Sequence, residues 1–568
     1  KSFGECVQIA VDKEARVLTL AGSHIVSVDL TPVSQLTHLR RISLHRNRIE
    51  EIDLKPLGAC TRLIQVDLSF NRIRTLDLAP LSAAIGLREL RLEMNLIDQL
   101  DLSPLSSCKQ LSILSISSNR LRKIDLEPLR VCRGLHELLL AENELQSIDL
   151  SPLGNLAELR VLELHGNNLR LIDLTPLREH RHLLRLTLSQ NNLRMLDLSP
   201  LDKSDDIREL DASHNEIVKV VLPCSSHLRV INLSENRLRQ IDLTPLAIGT
   251  SVERIYLRAN RLTTIDLKPL ANCPSLRTLD VSQNKLSAID LEPMTDCKEL
   301  IELDVSGNNL TEIDLVPLTG HSNLRYVGLS SNPLGGVDLS PLGTCSSLEY
   351  LDVADTGIRS LNVLGLFACA QLQEIDAGRK TRLHSAYLPK FLTWPRGLQR
   401  LKKKIREDKR LPTSYDGWIE LLDHAIVFCE HVPHGKERLA FQAHLLSLMG
   451  YEDLTALDIN LAPLLRIIKR EPTRAEAIKQ LRPLLLDELE KQVAAKGPTH
   501  FVDVGRLGAE RREDMANSIR ALRDQEMVNA FVVVRGDRVD LRPLWLTYVG
   551  YRRLRRMRMG LEVDSEAL

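Results

Sequence analysis

The chain repeats one pattern of apolar and polar positions at a nearly constant interval of 24 residues. Aligned copies read LxxLxLxxNxLxxIDLxPLxxCxx, and residues 63–86 are a typical copy. A fixed period of this length predicts a solenoid, in which each repeat buries its apolar edge against its neighbours. The segment Asp-Leu-x-Pro occurs thirteen times, beginning at Asp29, Asp53, Asp77, Asp101, Asp125, Asp149, Asp173, Asp197, Asp242, Asp266, Asp290, Asp314 and Asp338.

The LxL segment of each repeat alternates apolar and polar residues with a period of two, as Val66 and Leu68 illustrate. This alternation predicts a short strand, and stacked repeats then form a parallel sheet with about 4.8 Å between strands. The asparagine that follows is predicted to be buried and to bond backbone groups where the strand turns. It occurs at Asn47, Asn71, Asn95, Asn119, Asn143, Asn167, Asn191, Asn215, Asn236, Asn260, Asn284, Asn308 and Asn332.

The DLxPL segment predicts the opposite, convex side of the solenoid. Proline suits the first turn of a helix, so a short helix or 3₁₀ turn is expected after each one. The serine or threonine before the proline in seven copies, such as Thr31 and Ser103, is expected to cap that turn. The aspartate is expected to accept backbone N–H bonds at the bend, and a cation-binding stack is the alternative. Between Asn215 and Asn236 the spacing shrinks to 21 residues, which predicts a trimmed outer loop or a hinge.

Seven of the ten cysteines share one repeat position, which alanine, serine and histidine fill in other copies. A position shared with small residues predicts buried, reduced thiols and no disulfide framework, and this favours a cytoplasmic location. The seven are Cys60, Cys108, Cys132, Cys273, Cys297, Cys345 and Cys369.

The LxxLxLxxN and IDLxPL motifs resemble those of the leucine-rich repeat family over about residues 17–377, and the DLxPL variant is similar to archaeal repeats. The resemblance implies an α/β fold: a solenoid of about 15 turns across residues 1–380, with a parallel sheet on the concave face. A solenoid usually binds through that face, so a protein partner is expected there. Candidate partner-binding residues are Arg41, Phe70, Arg91, Arg254, Tyr256, Arg258, Asp280, Asp304, Tyr326, Tyr350 and Asp352.

The charge balance changes where the repeat fades. Residues 1–380 contain 42 basic and 49 acidic side chains, whereas residues 381–568 contain 33 and 26. Residues 381–411 are interpreted as a basic linker or cap, which is either a solvated face or a surface for nucleic acid or anionic lipid. Possible nucleic-acid contacts are Lys402, Lys403, Lys404, Arg552, Arg553, Arg555 and Arg556, the last four in the arginine-rich tail 551–568.

The periodicity of residues 412–496 predicts a helical domain. Its candidate metal ligands match no compact zinc motif, so structural roles are favoured over zinc, and over a nucleophilic role for the cysteine. They are His424, Cys429, His431, His434 and His444.

Residues 497–550 resemble a winged helix. Glu510 to Met527 is predicted to be its helix, and Ala530 to Val534 with Arg538 to Leu541 its hairpin. Residues 501–550 contain eight basic and eight acidic side chains. A neutral surface favours protein docking over duplex binding, because phosphate contacts supply most nucleic-acid affinity.

The sequence contains no phosphate loop, metalloprotease helix, nucleophile elbow or dinucleotide-binding glycine pattern, and no cofactor is expected. It also lacks a run of about 18 uncharged apolar residues, so no membrane span is expected. We therefore favour a non-enzymatic protein–protein interaction scaffold whose partner is unknown. The alternatives are a nucleic-acid-associated regulator that uses the basic linker, winged helix and tail, and a ligase-like enzyme that uses Cys429.

Overall fold

The repeats build a parallel sheet, as predicted. The computed structural model describes residues 10–248 and 251–408, nine single positions between 424 and 444, and the backbone of 528–535 and 538–546. Sixteen strands follow one another in chain order, and the central residue of each is buried. They are Val17–Thr19, Arg41–Ser43, Gln65–Asp67, Glu89–Arg91, Ile113–Ser115, Glu137–Leu139, Val161–Glu163, Arg185–Thr187, Glu209–Asp211, Val230–Asn232, Arg254–Tyr256, Thr278–Asp280, Glu302–Asp304, Tyr326–Gly328, Tyr350–Asp352 and Glu374–Asp376.

Each Asp-Leu-x-Pro segment leads into a 3₁₀ turn, which confirms the second predicted element. The proline stands near the start of the turn, where its missing N–H leaves no bond unmade. The turns are Thr31–Gln35, Lys55–Ala59, Ala79–Ala83, Ser103–Ser107, Glu127–Val131, Ser151–Asn155, Thr175–Leu177, Ser199–Lys203, Thr244–Ile248, Lys268–Asn272, Glu292–Asp296, Val316–Leu318 and Ser340–Thr344, followed by Gly365–Ala368 without a proline.

The asparagine column links consecutive repeats, as predicted. Asn71 is representative: its Nδ2 donates to the carbonyl oxygens of Leu68 in its own repeat and Leu44 in the previous one, both at 3.0 Å. Its Oδ1 accepts the N–H of Ile49 at 3.1 Å. All thirteen asparagines make this set of bonds, so the column is structural.

The aspartate column accepts backbone hydrogen bonds, whereas six of the seven turns with a predicted serine or threonine cap have no side-chain cap, and the cap of the seventh lies outside the description. Oδ1 of Asp29 accepts the N–H of Thr31 at 2.8 Å, and all thirteen aspartates make the same bond to the residue two positions on. The residue in the capping position is Leu30, and no side chain caps this turn. The turn begins one residue earlier than expected, because the carbonyl oxygen of Leu30 accepts the N–H of Val33. The Thr31 hydroxyl and N–H together lower the pKa of Asp29.

The cysteine column is buried and reduced, as predicted. All seven cysteines are free thiols with no exposed surface. Sγ of Cys108 donates to the carbonyl oxygens of Leu81 at 3.6 Å and Ala84 at 3.5 Å, both in the previous repeat. Burial raises the pKa of Cys108 to about 11, so this thiol stays protonated at neutral pH.

The chain divides into two compact units, residues 1–311 with 328–332 and residues 312–327 with 333–568. The first contains a separate parallel pair, Met195–Asp197 with Lys219–Val221, and the second of these strands lies in the shortened repeat. The second contains a three-stranded parallel sheet and a five-residue helix, and its last described element is an antiparallel hairpin, as predicted there. These elements are Ser360–Asn362, Arg382–Ser385 and Ile405–Glu407, helix Arg396–Arg400, and strands Val528–Arg535 and Arg538–Leu546.

Candidate functional site: the sheet face

The sheet face is the surface formed by the first and third residues of each strand, because the middle residue points into the core. Three neighbouring strands of the first unit have polar residues at all of these positions. Parallel register places Tyr256 beside Asp280, and Asp280 beside Asp304. We call this surface the Tyr256 patch and define it as Arg254, Tyr256, Asp280, Glu302 and Asp304, together with Arg258, which follows the strand of Tyr256 by two residues.

The three carboxylates of the Tyr256 patch are half-buried and close to one another. Oδ1 of Asp280 accepts the N–H of Ser282 at 2.9 Å and its hydroxyl at 2.6 Å, and Oδ1 of Asp304 accepts the N–H of Ser306 at 2.9 Å. These bonds fix both aspartates and leave their second oxygens for another donor.

The pKa values of two carboxyl groups in this patch are raised. Burial raises the pKa of Glu302, and the charges of Asp280 and Asp304 raise it further. Burial also raises the pKa of Asp304, although the hydrogen bonds from Ser306 and the charge of Arg258 oppose that shift. Within 10–248 and 251–408, no ion pair includes any of the three carboxylates. A cation supplied by a partner would therefore reduce the repulsion among these three carboxylates.

The basic side of the patch is more exposed than the acidic side. The side chain of Arg254 is 46% exposed, and its Nη2 lies 3.9 Å from Oε2 of Glu253. Arg229 binds the other oxygen of Glu253 at 3.4 Å, so two arginines share that carboxylate. Arg258 lies two residues beyond its strand and is exposed.

The candidates nearer the start of the chain do not form one cluster. Arg41 is exposed on its strand, but Arg91 is half-buried and paired with Glu89 and, at 3.9 Å, with Glu93. Phe70 lies in the turn three residues beyond its strand, with φ of 55°, and the guanidinium of Arg46 is 5.5 Å from its ring centroid. Phe70 therefore lies in the turn after its strand, where its side chain is 41% exposed.

The other two candidate tyrosines, Tyr326 and Tyr350, belong to the second unit. Tyr350 is 40% exposed, and Tyr326 is half-buried. Oδ1 of Asp352 accepts the N–H of Ala354 at 3.0 Å, and Asp352 stands beside Asp376 in the sheet. This arrangement repeats the local bonding of Asp280 in the first unit.

The basic segment exposes Lys402, Lys403 and Lys404. Nζ of Lys402 lies 5.0 Å from the ring centroid of Trp394, which is within the range of a cation–π contact. Lys403 and Lys404 make no such contact among the described residues. Arg552, Arg553, Arg555 and Arg556 lie outside the described residues, as do Cys429, His434 and the predicted helix of the winged-helix region.

A buried polar cluster in the second unit joins the segment after the repeats to a helical segment. Glu437 is fully buried and accepts hydrogen bonds from the Tyr387 hydroxyl at 2.6 Å, the N–H of Lys390 at 2.8 Å and the N–H of Phe391. Burial raises the pKa of Tyr387, and the bond to Glu437 raises it further. The three donors satisfy the carboxylate, which indicates a structural role.

The histidines considered as candidate metal ligands have structural contacts where they are described. Nδ1 of His424 accepts the N–H of Gly365 at 3.2 Å, and Nε2 of His444 lies 3.1 Å from the carbonyl oxygen of Ala386. Nδ1 of His431 is 3.2 Å from the carbonyl oxygen of Val427. Among the residues that the structure describes, no three metal-ligating side chains cluster.

Sequence reasoning missed Glu302, although the repeat contains the signal that identifies it. Glu302 is the first residue of its strand, so alternation places it on the sheet face. Tyrosine, arginine and aspartate stand out on this face in the sequence, whereas a glutamate at the first strand position is common. Its importance follows from register, which sets it beside Thr278 and close to Asp280.

Comparison with known proteins agrees with the architecture. The family profile described as Leucine rich repeat matches residues 250–310. A leucine-rich repeat protein of Leptospira interrogans superposes with a TM-score of 0.57 at 21% identity, over 70% of this chain and 96% of that one. The plant peptide hormone receptor RGFR1 in complex with RGF2 gives 0.53 at 20% identity, over 66% and 68%. No curated protein matches the sequence.

Residues 250–310 therefore match the leucine-rich repeat profile, and the solved structures share the fold of the repeats. The low identity of the solved structures limits their meaning to the fold, because one fold serves many functions. Within the described residues, no helix has both the length and the apolar character needed to cross a membrane.

Proposed function

We propose that this protein is a non-enzymatic interaction scaffold that binds a protein partner through the Tyr256 patch. Leucine-rich repeats commonly mediate protein–protein interaction through the surface that their strands form. One observation carries the assignment: three half-buried carboxylates lie together beside Tyr256 without a paired cation in the described ranges. Tyrosine and arginine are enriched where interfaces are strongest.

The chemistry of the patch defines the kind of partner. Lysine or arginine side chains would pair with Asp280, Glu302 and Asp304, and an acceptor on the partner would meet the exposed donors of Arg254. Tyr256 contributes apolar area with a hydroxyl at its end, which suits a mixed polar surface. Arg41 and Arg91 are proposed as outer contacts, and Tyr326, Tyr350 and Asp352 are proposed as partner contacts of the second unit by itself.

The proposed domain organisation extends this function. We propose a solenoid over 1–380, a basic linker or cap over 381–411, a helical domain over 412–496, a winged-helix-like module over 497–550 and the tail 551–568. The modules after the solenoid would dock a second component. The buried, reduced cysteines support a cytoplasmic location, and the IDLxPL repeats support an archaeal type of leucine-rich repeat.

The experiment compares partner capture by the full-length chain and two double variants in lysate of the source cells, with quantitative mass spectrometry. Arg254→Ala with Tyr256→Ala removes two patch residues. Arg185→Ala with Thr187→Ala removes the same strand positions three repeats earlier. We expect a protein captured by the native chain and the second variant to be depleted at least tenfold with the first. Equal capture by all three chains would exclude the patch.

Nucleic-acid association through the basic segment is the second candidate function. Lys402, Lys403 and Lys404 are exposed in a row, and basic side chains near aromatic rings are typical of single-strand binding. Labelled single-stranded and duplex DNA would be titrated with the full chain across a salt series. A steep loss of affinity with salt, reduced in the Lys402→Ala, Lys403→Ala and Lys404→Ala triple variant, would support this function.

A further inference from the structure

A second surface, on the flank of the repeats, has the form of a binding groove. Four consecutive repeats in the first unit enclose a groove of about 1040 Å³, which we call the flank groove. It lies between the turn after each strand and the following 3₁₀ turn. Its lining comprises Glu51–Asp53 with Lys55, Thr75–Asp77, Gln99–Asp101 and Lys123–Asp125.

The floor of the flank groove is apolar. Ile52, Leu76, Leu100 and Ile124 occupy the same repeat position and are half-buried, so each presents part of its side chain to the groove. Covering that remaining apolar surface is favourable by about 25 cal/mol for each Å² removed from water. The groove thus offers an apolar strip that continues through four repeats.

One wall of the groove is a ladder of aspartates held in fixed positions. Oδ1 of Asp53, Asp77, Asp101 and Asp125 accepts the N–H two residues further on, at 2.8 to 2.9 Å. This bond orients each carboxylate and leaves its second oxygen free to accept from a ligand. In the part of the chain with described side chains, none of the four takes part in an ion pair.

The charge of the groove selects the sign of its ligand. Five carboxylates line it, the four aspartates and Glu51, against the ammonium groups of Lys55 and Lys123. Five negative charges and two positive charges leave a net charge of −3, so anionic ligands such as nucleic acid are disfavoured. Hydrogen bonds from the hydroxyl and the N–H of Ser103 lower the pKa of Asp101, which keeps this carboxylate ionised.

We propose that the flank groove binds an extended peptide segment in which lysine or arginine alternates with apolar residues. Neighbouring repeats are about 4.8 Å apart, so four rungs span about 14 Å, the length of four or five extended residues. Alternate side chains of an extended chain point to opposite sides, so one set would cover the apolar floor while the other meets the carboxylates. This site is separate from the Tyr256 patch and does not depend on it.

The probe is a fluorescein-labelled hexapeptide that alternates lysine and leucine, titrated with the full-length chain and followed by fluorescence anisotropy. The groove variant carries Asp53→Asn, Asp77→Asn, Asp101→Asn and Asp125→Asn. Asparagine keeps the Oδ1 acceptor for the turn and removes the charge, so the repeats are expected to stay folded. We expect the groove variant to bind the lysine–leucine peptide at least tenfold more weakly than the native chain.

The matched control makes the same four-charge change at aspartates outside the groove. Asp173→Asn, Asp242→Asn, Asp266→Asn and Asp290→Asn replace residues with the same turn bond, and we expect at most a twofold change. A hexapeptide that alternates glutamate and leucine should not bind. A photo-crosslinking version of the lysine–leucine peptide should label residues between 51 and 125.

Three results would overturn the proposal. They are no binding of the lysine–leucine peptide by the native chain, equal weakening in the groove and control variants, and crosslinks confined to other surfaces. Crosslinks at the Tyr256 patch with loss of binding in the Arg254→Ala and Tyr256→Ala variant would assign the peptide to the sheet face. Displacement of the peptide by millimolar calcium alone, without an equal effect of sodium at matched ionic strength, would assign the aspartates to a cation.

Discussion

His180 is a titratable residue in a column otherwise occupied mainly by small side chains. It takes the position of the buried cysteines and is 1% exposed. Neither ring nitrogen reaches hydrogen-bonding geometry with a partner, although the carbonyl groups of Leu153, Leu156 and Leu177 lie near the ring. Burial lowers the pKa of His180, and those carbonyls only partly oppose the shift. The folded chain therefore holds this imidazole neutral.

We predict that His180 makes the protein less stable in mild acid. The unfolded histidine binds a proton near pH 6.5, whereas the folded one does so only at lower pH. The free energy of unfolding should thus fall as the pH drops from about 6.5 towards the folded pKa. His180→Cys, the common residue of this column, should flatten that dependence in urea titrations from pH 7.5 to 5. An unchanged slope, equal to that of the exposed-residue control His227→Ser, would refute the prediction.

The asparagine column allows a second prediction for a single residue. Nδ2 of Asn191 donates to the carbonyl oxygens of Leu164 at 2.9 Å and Leu188 at 3.1 Å, and Oδ1 accepts the N–H of Leu169 at 3.0 Å. Asn191→Ala leaves these buried groups unpaired and should cost at least about 2 kcal/mol of unfolding free energy. The neighbouring, exposed Asn192→Ala should change it by less than about 0.5 kcal/mol. Similar urea midpoints for both variants would contradict this expectation.

These residue columns show where repetition makes sequence interpretation strong. An asparagine or aspartate that returns thirteen times in one place in the pattern must serve the repeat itself, and both columns bond the backbone as expected. The predicted cap was wrong because the turn begins one residue earlier than expected. Leu30 takes the capping position, its carbonyl oxygen accepts the N–H of Val33, and Thr31 becomes the first residue of the turn. Spacing alone does not decide where a short turn begins.

At the scale of elements, one 3₁₀ turn packs closely against a helical segment. All five residues of Ser340–Thr344 are buried, whereas Lys55–Ala59 buries only its leucine. A Cβ added to Gly343 would lie 2.5 Å from Cγ1 of Val427 and 2.6 Å from the carbonyl oxygen of Gly365. This close packing involves residues far apart in the chain, so the repeat pattern gives no sign of it.

Gly343→Ala should destabilise the second unit, because a backbone oxygen cannot move aside cheaply. We expect a loss of about 1–3 kcal/mol, as for other overpacked sites. The same change at Gly58, whose added Cβ would meet nothing nearer than 3.8 Å, should be neutral or slightly stabilising. Hydrogen exchange, measured separately for peptides of each unit, would report the loss of stability in the second unit. Equal exchange in the Gly343→Ala and Gly58→Ala variants would show that the packing around Gly343 can accommodate an added methyl group.

At the scale of the whole molecule, the fold was easier to predict than the binding surface. The period and the LxL alternation give the strands, since every repeat must bury the same positions. The Tyr256 patch depends on which residues of adjacent strands meet, and register between repeats supplied Glu302 only once the strands were placed. The flank groove is a cavity between repeats and has no motif, because its residues belong to turns that look alike in every copy.

The shortened repeat is expected to be the weakest place in the first unit. A solenoid is stabilised by contacts between nearest neighbours, so one poor interface lowers the local stability of the stack. Most repeats place leucine, isoleucine or valine directly after the strand, but the repeat of Glu209–Asp211 has Ala212 there. A small apolar cavity remains, and Leu188, Leu210 and Leu233 are among the residues that line it.

We predict that Ala212→Val raises stability by about 1 kcal/mol, since each buried methylene contributes about 0.8 kcal/mol and valine occupies this position at Val281 and Val305. In native hydrogen exchange, peptides covering 209–232 should be the least protected part of the strand-forming repeats, and the valine variant should slow their exchange several-fold. Leu188→Ala, one repeat earlier, enlarges the same cavity and should accelerate it. If peptides on both sides of the shortened repeat exchange as fast as those within it, the missing side-chain volume at Ala212 does not determine the local stability of this solenoid.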